Sequence, residues 1–348
     1  MFMINRSFLS VILLWGWGLL APLTVWGETV TPEEPPTTNG EPSSKGEKVE
    51  GEVTPVKLGV YLLSLHDLNV QGETFGADFW LWADHRNPNF EPLKTLELVN
   101  SKSAGIGLQS VEPKGGIFWS QEKIQGTFRH HWDMSNFPFD RHVLTIILEE
   151  SKYDINQLIY TVNEEENRIN NDLSLDGFTI RQMTVTADQK QYDSGFGDPA
   201  GESVTNYAQV RIDVEIQRIS TILFVKLHIA LYAAFLISNM AFLMLSGIPS
   251  MMNTINSVVV GTLFATVINL RATDAVIGRS ESVTLVDRMH IMTLSHLVAL
   301  SIVGMTVMMT RKRWSDKGLQ RFSYLAASLY FLSYVLWNFI IIRGAAAS

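Results

Sequence analysis

The sequence predicts an exported, immunoglobulin-like all-β sandwich followed by a four-helix transmembrane bundle. Three observations predict this class of fold. An apolar leader opens the chain, many short β-prone runs separated by turn residues fill its middle, and four long apolar segments close it. Regularly spaced short strands are typical of a sandwich, and about 20 apolar residues are enough to span a membrane.

Residues 1–27 have the features of a secretory signal peptide: Arg6, an apolar run over residues 8–20, and small residues near Gly27. An uncleaved anchor is the alternative interpretation. Residues 28–55 are rich in Pro, Glu, Thr, Ser and Gly, which favours a disordered linker. We therefore expect the following domain to be exported.

Residues 56–220 carry the strand signals. Apolar, β-prone runs recur, including separate ones over residues 116–119 and 124–132. The clearest run is residues 207–218, in which apolar and polar side chains alternate strictly. Period two over this length predicts a strand with one buried face. The expected buried residues are Val210, Ile212, Val214 and Ile216.

Residues 221–343 are the predicted membrane domain, and residues 344–348 are a short tail. Apolar segments cover residues 227–245, 255–270, 291–309 and 324–342. The second helix, about residues 254–274, is the most polar, and polar side chains at membrane depth usually face a bundle interior or water. Two interpretations of this helix therefore stay open: it lines a water-filled pore, or it is an inner helix whose polar side chains are hydrogen-bonded within the bundle.

Orientation follows from the basic residues. The segment 310–321 contains five basic residues and one acid, whereas the charges of the loop before the third span are balanced. The positive-inside rule places segment 310–321 in the cytoplasm. Four spans then return the C-terminus to the side of the exported sandwich, so we expect a multi-pass protein with a periplasmic N-terminal domain.

A loop is predicted between two strand-like runs, at residues 131–142. Pro138 cannot donate to a strand ladder and favours extended geometry at Phe137. The rings of Phe137 and Phe139 at the tip need a partner surface, for which the membrane domain is the candidate. A buried turn capped by two core phenylalanines is the alternative.

Residues 136–140, Asn-Phe-Pro-Phe-Asp, followed by Val143 and Leu144, resemble the signature loop of the pentameric ligand-gated ion channels, the Cys-loop receptor family. The positions of the family's disulfide are His130 and Leu144 here, and the chain has no cysteine, as in bacterial members. Residues 282–287, Ser-Val-Thr-Leu-Val-Asp, resemble the start of that family's third helix. The resemblance implies a homopentamer in a bacterial inner membrane that passes small inorganic ions when an ionic or small-molecule agonist binds.

The resemblance also implies a pore-facing side of the second helix, with Phe264 and Ile268 as a hydrophobic gate. The implied pore-lining residues are Asn253, Ser257, Gly261, Phe264, Ile268, Arg271 and Ala275. The residues themselves favour a face rotated by one position, because the most polar stripe is Thr262, Thr266, Asn269 and Thr273. Both registers stay open. Cation or anion selectivity stays open too, since Arg271 and Asp274 lie close enough to pair.

For coupling, the resemblance implies an ion pair between Asp140 and Arg218, joined by Asp67 or Asn69. A static structural bridge is the alternative. The implied coupling set is Asp67, Asn69, Phe137, Pro138, Phe139, Asp140, Arg218, Thr284 and Asp287. The implied ligand-binding rings are Phe178, Tyr192, Phe196 and Tyr207, which suit a cation; an ordinary polar loop over residues 189–206 is the alternative.

Three histidines, His228, His290 and His296, lie in or near predicted spans, where ionisable groups are costly and often functional. They are either proton sensors or neutral core residues. The acidic turn at Glu164, Glu165 and Glu166 is either a divalent-cation site or a solvated turn, so no metal site is assigned.

Composition limits the other functions. The net charge is −8, and the basic residues form no stripe, so a nucleic-acid partner is not expected. The chain shows no catalytic motif, so neither an enzyme nor a cofactor is expected. The alternative to a channel is a membrane-anchored periplasmic sensor or binding protein of the same fold without a conducting pore.

Overall fold

The computed structural model describes residues 53–162, 165–197, 204–244, 252–277 and 282–347. The predicted signal peptide and most of the predicted linker lie outside these residues. The linker prediction extends to residue 55, but the first strand already begins at Thr54.

Strands fill the first part of the described chain. In order they are β1 (Thr54–Asn69), β2 (Thr74–His85), β3 (Leu96–Leu98), β4 (Ser101–Lys114), β5 (Ile117–Arg129), β6 (Arg141–Asp154), β7 (Leu158–Val162), β8 (Arg168–Ile169), β9 (Phe178–Tyr192) and β10 (Thr205–Arg218). Helices follow as α1 (Thr221–Met244), α2 (Met252–Ile277), α3 (Leu285–Thr310) and α4 (Asp316–Ala347), with a short 3₁₀ turn at Arg311–Arg313 between the last two. The chain is thus a β-sheet-rich domain followed by helices.

Within the described residues the strands form two sheets. One has the order β4-β5-β2-β1-β7, with β8 also paired to β1, and the other has the order β3-β6-β10-β9. The pairs are antiparallel except those that β1 makes with β7 and β8. Apolar side chains of both sheets form one buried cluster, because alternate residues of each strand point to the same side.

The alternation in β10 is as predicted. Val210, Ile212, Val214 and Ile216 are at most 1% exposed, whereas the other face is partly exposed at Arg211, Asp213, Glu215 and Gln217. One strand prediction is wrong: the runs over residues 116–119 and 124–132 belong largely to the single strand β5, which ends at Arg129. Ser120 and Glu122 are buried polar residues in the middle of β5, and they interrupt the apolar pattern on which the prediction relied.

Three helices are long and apolar enough to cross a membrane: Thr221–Met244, Leu285–Arg313 and Asp316–Ala345. In α2 the apolar part is shorter, Ile255–Arg271. The helices extend beyond the predicted apolar segments because backbone hydrogen bonding continues into the polar flanks, which hydropathy does not detect. Leu227 of α1 and Val286 of α3 belong to the same buried cluster as the sandwich core, so the two parts share apolar packing.

Candidate functional site

The junction between sandwich and helices contains the ion pair that the resemblance implied. Arg218 Nε donates to Asp140 Oδ1 (2.8 Å) and lies 3.1 Å from Oδ2, while Arg218 Nη2 donates to Oδ2 (2.9 Å). The Asp140 side chain is 1% exposed and that of Arg218 is 15% exposed. β10 ends at Arg218 and leads directly into α1, so this pair ties the loop before β6 to the start of the membrane domain. We call Asp140, Arg218, His142, Phe137 and Phe178 the coupling site.

Two rings and one histidine complete the coupling site. The Arg218 guanidinium lies 4.9 Å from the Phe137 ring centre and 4.3 Å from that of Phe178, both within cation–π range. His142 Nε2 lies 2.9 Å from Asp140 Oδ2. Burial by itself raises the pKa of Asp140, but the hydrogen bonds from His142 and Arg218 and the Arg218 charge outweigh it and lower that pKa. Asp140 is therefore held as a carboxylate.

The loop at residues 131–140 contacts α1 through one aromatic ring. Its Phe139 ring lies 5.5 Å from the ring of Phe224 in α1. Phe137, in contrast, is buried in the sandwich core, and the Phe137–Pro138 peptide bond is cis. Both interpretations of this loop were thus partly right, since one ring meets the membrane domain and the other fills the core.

Arg288 makes a contact with the loop at residues 131–140 that the sequence analysis did not predict. It lies in the first turns of α3, and its Nη2 donates to Ser135 O (2.7 Å) and to Asn136 Oδ1 (3.3 Å) in the loop. The signal in the sequence that could have indicated this contact was the position of Arg288, four residues after Thr284. A basic side chain at the outer end of a span is placed to donate to a loop that is rich in hydrogen-bond acceptors. The third helix is therefore bound directly to the loop that carries Asp140.

Four other predicted coupling residues make local contacts. Asp67 pairs with the neighbouring His66 (2.8 Å), and Asn69 Oδ1 accepts from Gly72 N (2.8 Å) in its own turn, so the described contacts do not join either to the coupling site. Thr284 and Asp287 form a capping box at the start of α3. Thr284 Oγ1 accepts from Asp287 N, and Asp287 Oδ2 accepts from Thr284 N (2.8 Å).

One face of α2 is exposed in the subunit. It comprises Ser257, Gly261, Phe264, Ile268 and Arg271, with Phe264 66% and Ile268 69% exposed. Their spacing of three and four residues keeps them on one side of the helix. The backbones of Asn253 and Ala275 continue this helix, but their side chains, and that of Asp274, lie outside what the structure describes.

The alternative polar face of α2 points into the subunit. Ser238 Oγ and Thr262 Oγ1 lie 2.7 Å apart, and Thr266 is 2% exposed. Asn269 Nδ2 donates to His290 Nε2 (2.9 Å) and to Leu227 O (3.3 Å). Hydrogen bonding and burial inside the bundle thus account for Thr262, Thr266 and Asn269 of the most polar stripe, while the side chain of Thr273 lies outside the described residues.

The membrane histidines are held by helix carbonyls. Nδ1 of His228, His290 and His296 donates to the carbonyl oxygen four residues earlier, Phe224 O, Val286 O and Met292 O respectively. His228 and His290 are fully buried. The hydrogen-bonded interpretation accounts for these contacts, and proton sensing by these histidines stays a prediction.

Three of the four predicted ligand-binding rings come together at the far end of the β9–β10 hairpin. Tyr192, Phe196 and Tyr207 have ring centres 5.3 to 6.3 Å apart. Phe178 is not among them: it starts β9, fourteen residues from Tyr192, which is roughly 45 Å along a strand, and it belongs to the coupling site instead. The family resemblance, not a spacing in the sequence, had grouped Phe178 with the other three rings.

A buried carboxylate lies beside this aromatic cluster. The Tyr192 hydroxyl donates to Glu149 Oε1 (2.8 Å), and Gln209 Nε2 donates to Glu149 Oε2 (2.7 Å). Burial first, and then the hydrogen bond to Glu149, raises the pKa of Tyr192 to about 12, so its hydroxyl stays a donor. Glu97, directly opposite Glu149 in the β3–β6 pair, adds a second negative charge. Asp198 and Glu202 of the same loop lie outside the described residues.

Among the described residues no group of three or more His, Asp or Glu is arranged to hold a metal ion. Glu164 of the acidic turn lies outside them, and Glu166 pairs with Lys57 (2.8 Å). The described part of the chain therefore gives no support for a divalent-cation site at this turn.

No family model matches the chain. It is 24% identical over 182 residues to a protein of Gloeobacter violaceus named as a proton-gated ion channel. The match covers 46% of this chain and 47% of the relative, so the chain spans about half the length of the relative it matches. The chain is a homologue of that channel, which supports the family suggested by residues 136–140, and its apolar helices make it a membrane protein.

Proposed function

We propose that the protein is a ligand-gated ion channel of the bacterial inner membrane, assembled as a homopentamer with its sandwich in the periplasm. The observation that carries the proposal is the exposed face of α2. This face includes Arg271, and a charge facing lipid is costly, whereas polar side chains on the opposite side bond inside the subunit. A water-filled lumen shared by several copies suits such a face better than lipid does.

The proposed gating path follows β10. Tyr207 of the aromatic cluster lies near one end of this strand, and Arg218 of the coupling site lies at the other end. A ligand that moves the β9–β10 hairpin would act on the Asp140–Arg218 pair, and through Phe139 and Arg288 on α1 and α3. α2 responds through Asn269, which is hydrogen-bonded to both of those helices.

The aromatic cluster suits a cationic agonist. Three rings stand beside the buried Glu149, and Lys190 Nζ lies 5.7 Å from the Tyr192 ring centre, so a cation of the chain itself already occupies one ring face. Phe196 is 64% exposed and has a positive φ of 51°, a strained backbone for a bulky residue. An organic cation that displaces Lys190 is the expected agonist class. Protons are the other stimulus to test, because the homologue is named as proton-gated.

The test is current across a planar bilayer that holds purified protein under a salt gradient, while pH and candidate organic cations are stepped. Gated currents are expected, and their reversal potential gives the ion selectivity. Phe264→Ala should leak at rest because it widens the proposed hydrophobic gate. Ile237→Ala on α1 is the matched control, since that side chain is also exposed (50%) but lies on another helix. A leak from Ile237→Ala alone would contradict the assigned pore face.

Assembly is tested separately. Electron-microscopy particles of detergent-solubilised protein should show five-fold symmetry, and monomeric particles would refute the pentamer. The non-conducting sensor is not favoured, because the homologue is itself named as a channel.

A further inference from the structure

Asn269 of α2 holds two hydrogen bonds that join three helices of the bundle. Its Nδ2 atom donates to His290 Nε2 in α3 (2.9 Å) and to Leu227 O in α1 (3.3 Å). A side-chain amide nitrogen carries two hydrogens, so these two bonds use both of its donors. The gating path proposed above reaches α2 at this side chain.

His228 of α1 carries a further acceptor next to this junction. Its Nδ1 donates to Phe224 O (2.8 Å), so its Nε2 has a lone pair and can only accept. The residue is 0% exposed, and within the described chain Nε2 has no hydrogen-bond partner. His228 directly follows Leu227, and its ring centre lies 6.3 Å from that of His290. This acceptor therefore lies close to the amide that binds the other two.

His290 of α3 has the same chemistry as His228. Its Nδ1 donates to Val286 O (2.8 Å), which leaves Nε2 as the acceptor for Asn269. It is also 0% exposed. The helices on the two sides of Asn269 thus each provide one buried imidazole acceptor of the same kind, of which the amide uses one.

The amide of Asn269 has fewer donors than there are acceptors around it. It has two N–H groups for Leu227 O, His290 Nε2 and His228 Nε2. A buried acceptor without a donor costs free energy. That cost is similar for either imidazole, because both are fully buried and chemically alike. Two packing arrangements that differ little in free energy are what a conformational switch requires.

The contact between α1 and α2 supplies a fixed point for such a change. Two turns before Asn269, Thr262 Oγ1 lies 2.7 Å from Ser238 Oγ of α1. Thr262 and Asn269 are seven residues apart and so share one face of the helix. The part of α2 near Asn269 can therefore change its partner while the Thr262 contact holds the helix against α1.

We propose that Asn269 is the positioning residue of a two-state hydrogen-bond switch in the core of the bundle. In the first state, which the structure shows, its amide binds His290 of α3. In the second state the same N–H donates to His228 of α1, and the bond to Leu227 O is kept. The consequence for conduction rests on the proposed channel function, whereas the exchange of partners can be measured whether or not the protein conducts.

The experiment is solid-state ¹⁵N NMR of the full chain in lipid bilayers, with ¹⁵N-labelled histidine at about pH 8, where histidine is neutral. An imidazole nitrogen that accepts a hydrogen bond resonates upfield of one that does not. In the wild type, Nε2 of His290 should have the upfield position and Nε2 of His228 the downfield one. His290→Phe should move the His228 resonance upfield, because His228 is then the imidazole acceptor that remains for Asn269.

His296→Phe is the matched control on the same helix. His296 Nδ1 also donates to a carbonyl four residues earlier, Met292 O, but its Nε2 lies 3.3 Å from Ser333 Oγ of α4. This variant should leave the His228 resonance in place. The double variant His290→Phe with Asn269→Leu lacks the donor and should return the His228 resonance downfield.

Three results would overturn the switch. They are an upfield His228 resonance in the wild type, an unmoved one in His290→Phe, and an upfield one that persists without Asn269. If His290→Phe does not fold, warming the wild type decides. As the second state gains population, the His290 resonance should move downfield while the His228 resonance moves upfield, and movement of one alone or of neither would refute the proposal.

Bilayer currents then separate this inference from the channel function. His228→Phe removes the acceptor of the second state and His290→Phe that of the first, so the two variants should change the open probability in opposite directions. Changes in the same direction would refute the role in gating. If the resonances respond as expected and no current is found under any stimulus, the switch stands and the channel proposal fails. Gated currents with an unmoved His228 resonance have the reverse meaning.

Discussion

Replacing Arg218 with alanine tests the physical basis of the coupling site most directly. The change leaves the Asp140 carboxylate, which is 1% exposed, with His142 as its remaining side-chain partner among the described bonds. Removing one partner of a buried ion pair costs about 3–5 kcal/mol. Because His142 remains, we take about 3 kcal/mol, the lower end, for the pair itself. The lost contacts with the Phe137 and Phe178 rings add about 1 kcal/mol in a partly exposed setting.

The expected loss is therefore about 4 kcal/mol in the free energy of unfolding of the sandwich. For a unit of this size that corresponds to roughly 8–16 °C in melting temperature, measured by thermal unfolding of the full chain in detergent. Arg218→Lys keeps the charge but not the two-nitrogen geometry, and should lie between the wild type and Arg218→Ala.

Arg211→Ala is the matched control on the same strand. Arg211 Nη2 lies 3.7 Å from Asp213 Oδ1, and the two side chains are partly exposed (42% and 27%), so this pair should contribute less than about 1 kcal/mol. The double variant Asp140→Asn with Arg218→Ala should lose less stability than the two single variants summed, because the pair acts as a unit. Equal destabilisation by Arg218→Ala and Arg211→Ala would refute the reasoning.

Three further predictions follow from other contacts. The pKa of His130 is lowered to about 4 in the folded chain, mainly by burial, whereas the unfolded chain takes up this proton below about pH 6.5. The free energy of unfolding should therefore fall as pH drops from about 6.5 to 4. His130→Phe should flatten this slope in melting temperatures, and an unchanged slope would contradict the assignment. Arg288→Gln should cost about 1–2 kcal/mol and speed amide exchange in residues 131–140, unlike Lys312→Gln in the exposed turn after the other end of α3, and unchanged exchange would show that Arg288 does not hold the loop. Thr284→Ala should cost about 1 kcal/mol by breaking the capping box, whereas Thr284→Ser should retain it; equal melting temperatures for the two variants would exclude the cap as the cause.

The sequence was informative wherever a short-range rule applies. Alternation in residues 210–216 identified the buried face of β10, because side chains of a strand alternate strictly. The lengths of the apolar segments located the helices, and the Thr284-x-x-Asp287 spacing coincides with the capping box at the start of α3. The Asp140–Arg218 pair came from the resemblance of the loop, since 78 residues separate the two and no local pattern links them.

Contacts over long sequence distances were decided by the tertiary structure. Arg288 and the loop are about 150 residues apart, and Phe178 was separated from the aromatic cluster only when the β9–β10 register placed it opposite Arg218. The face that α2 packs against α1 and α3 is set by the hydrogen bonds that Thr262 and Asn269 form with those two helices. The periodicity of the α2 sequence does not show which residues of other helices will be the partners. The sequence by itself thus determined most of the elements and their order, because these follow from local periodicity and length, although it divided β5 in two. Folding decided which charges share the buried carboxylate of Asp140.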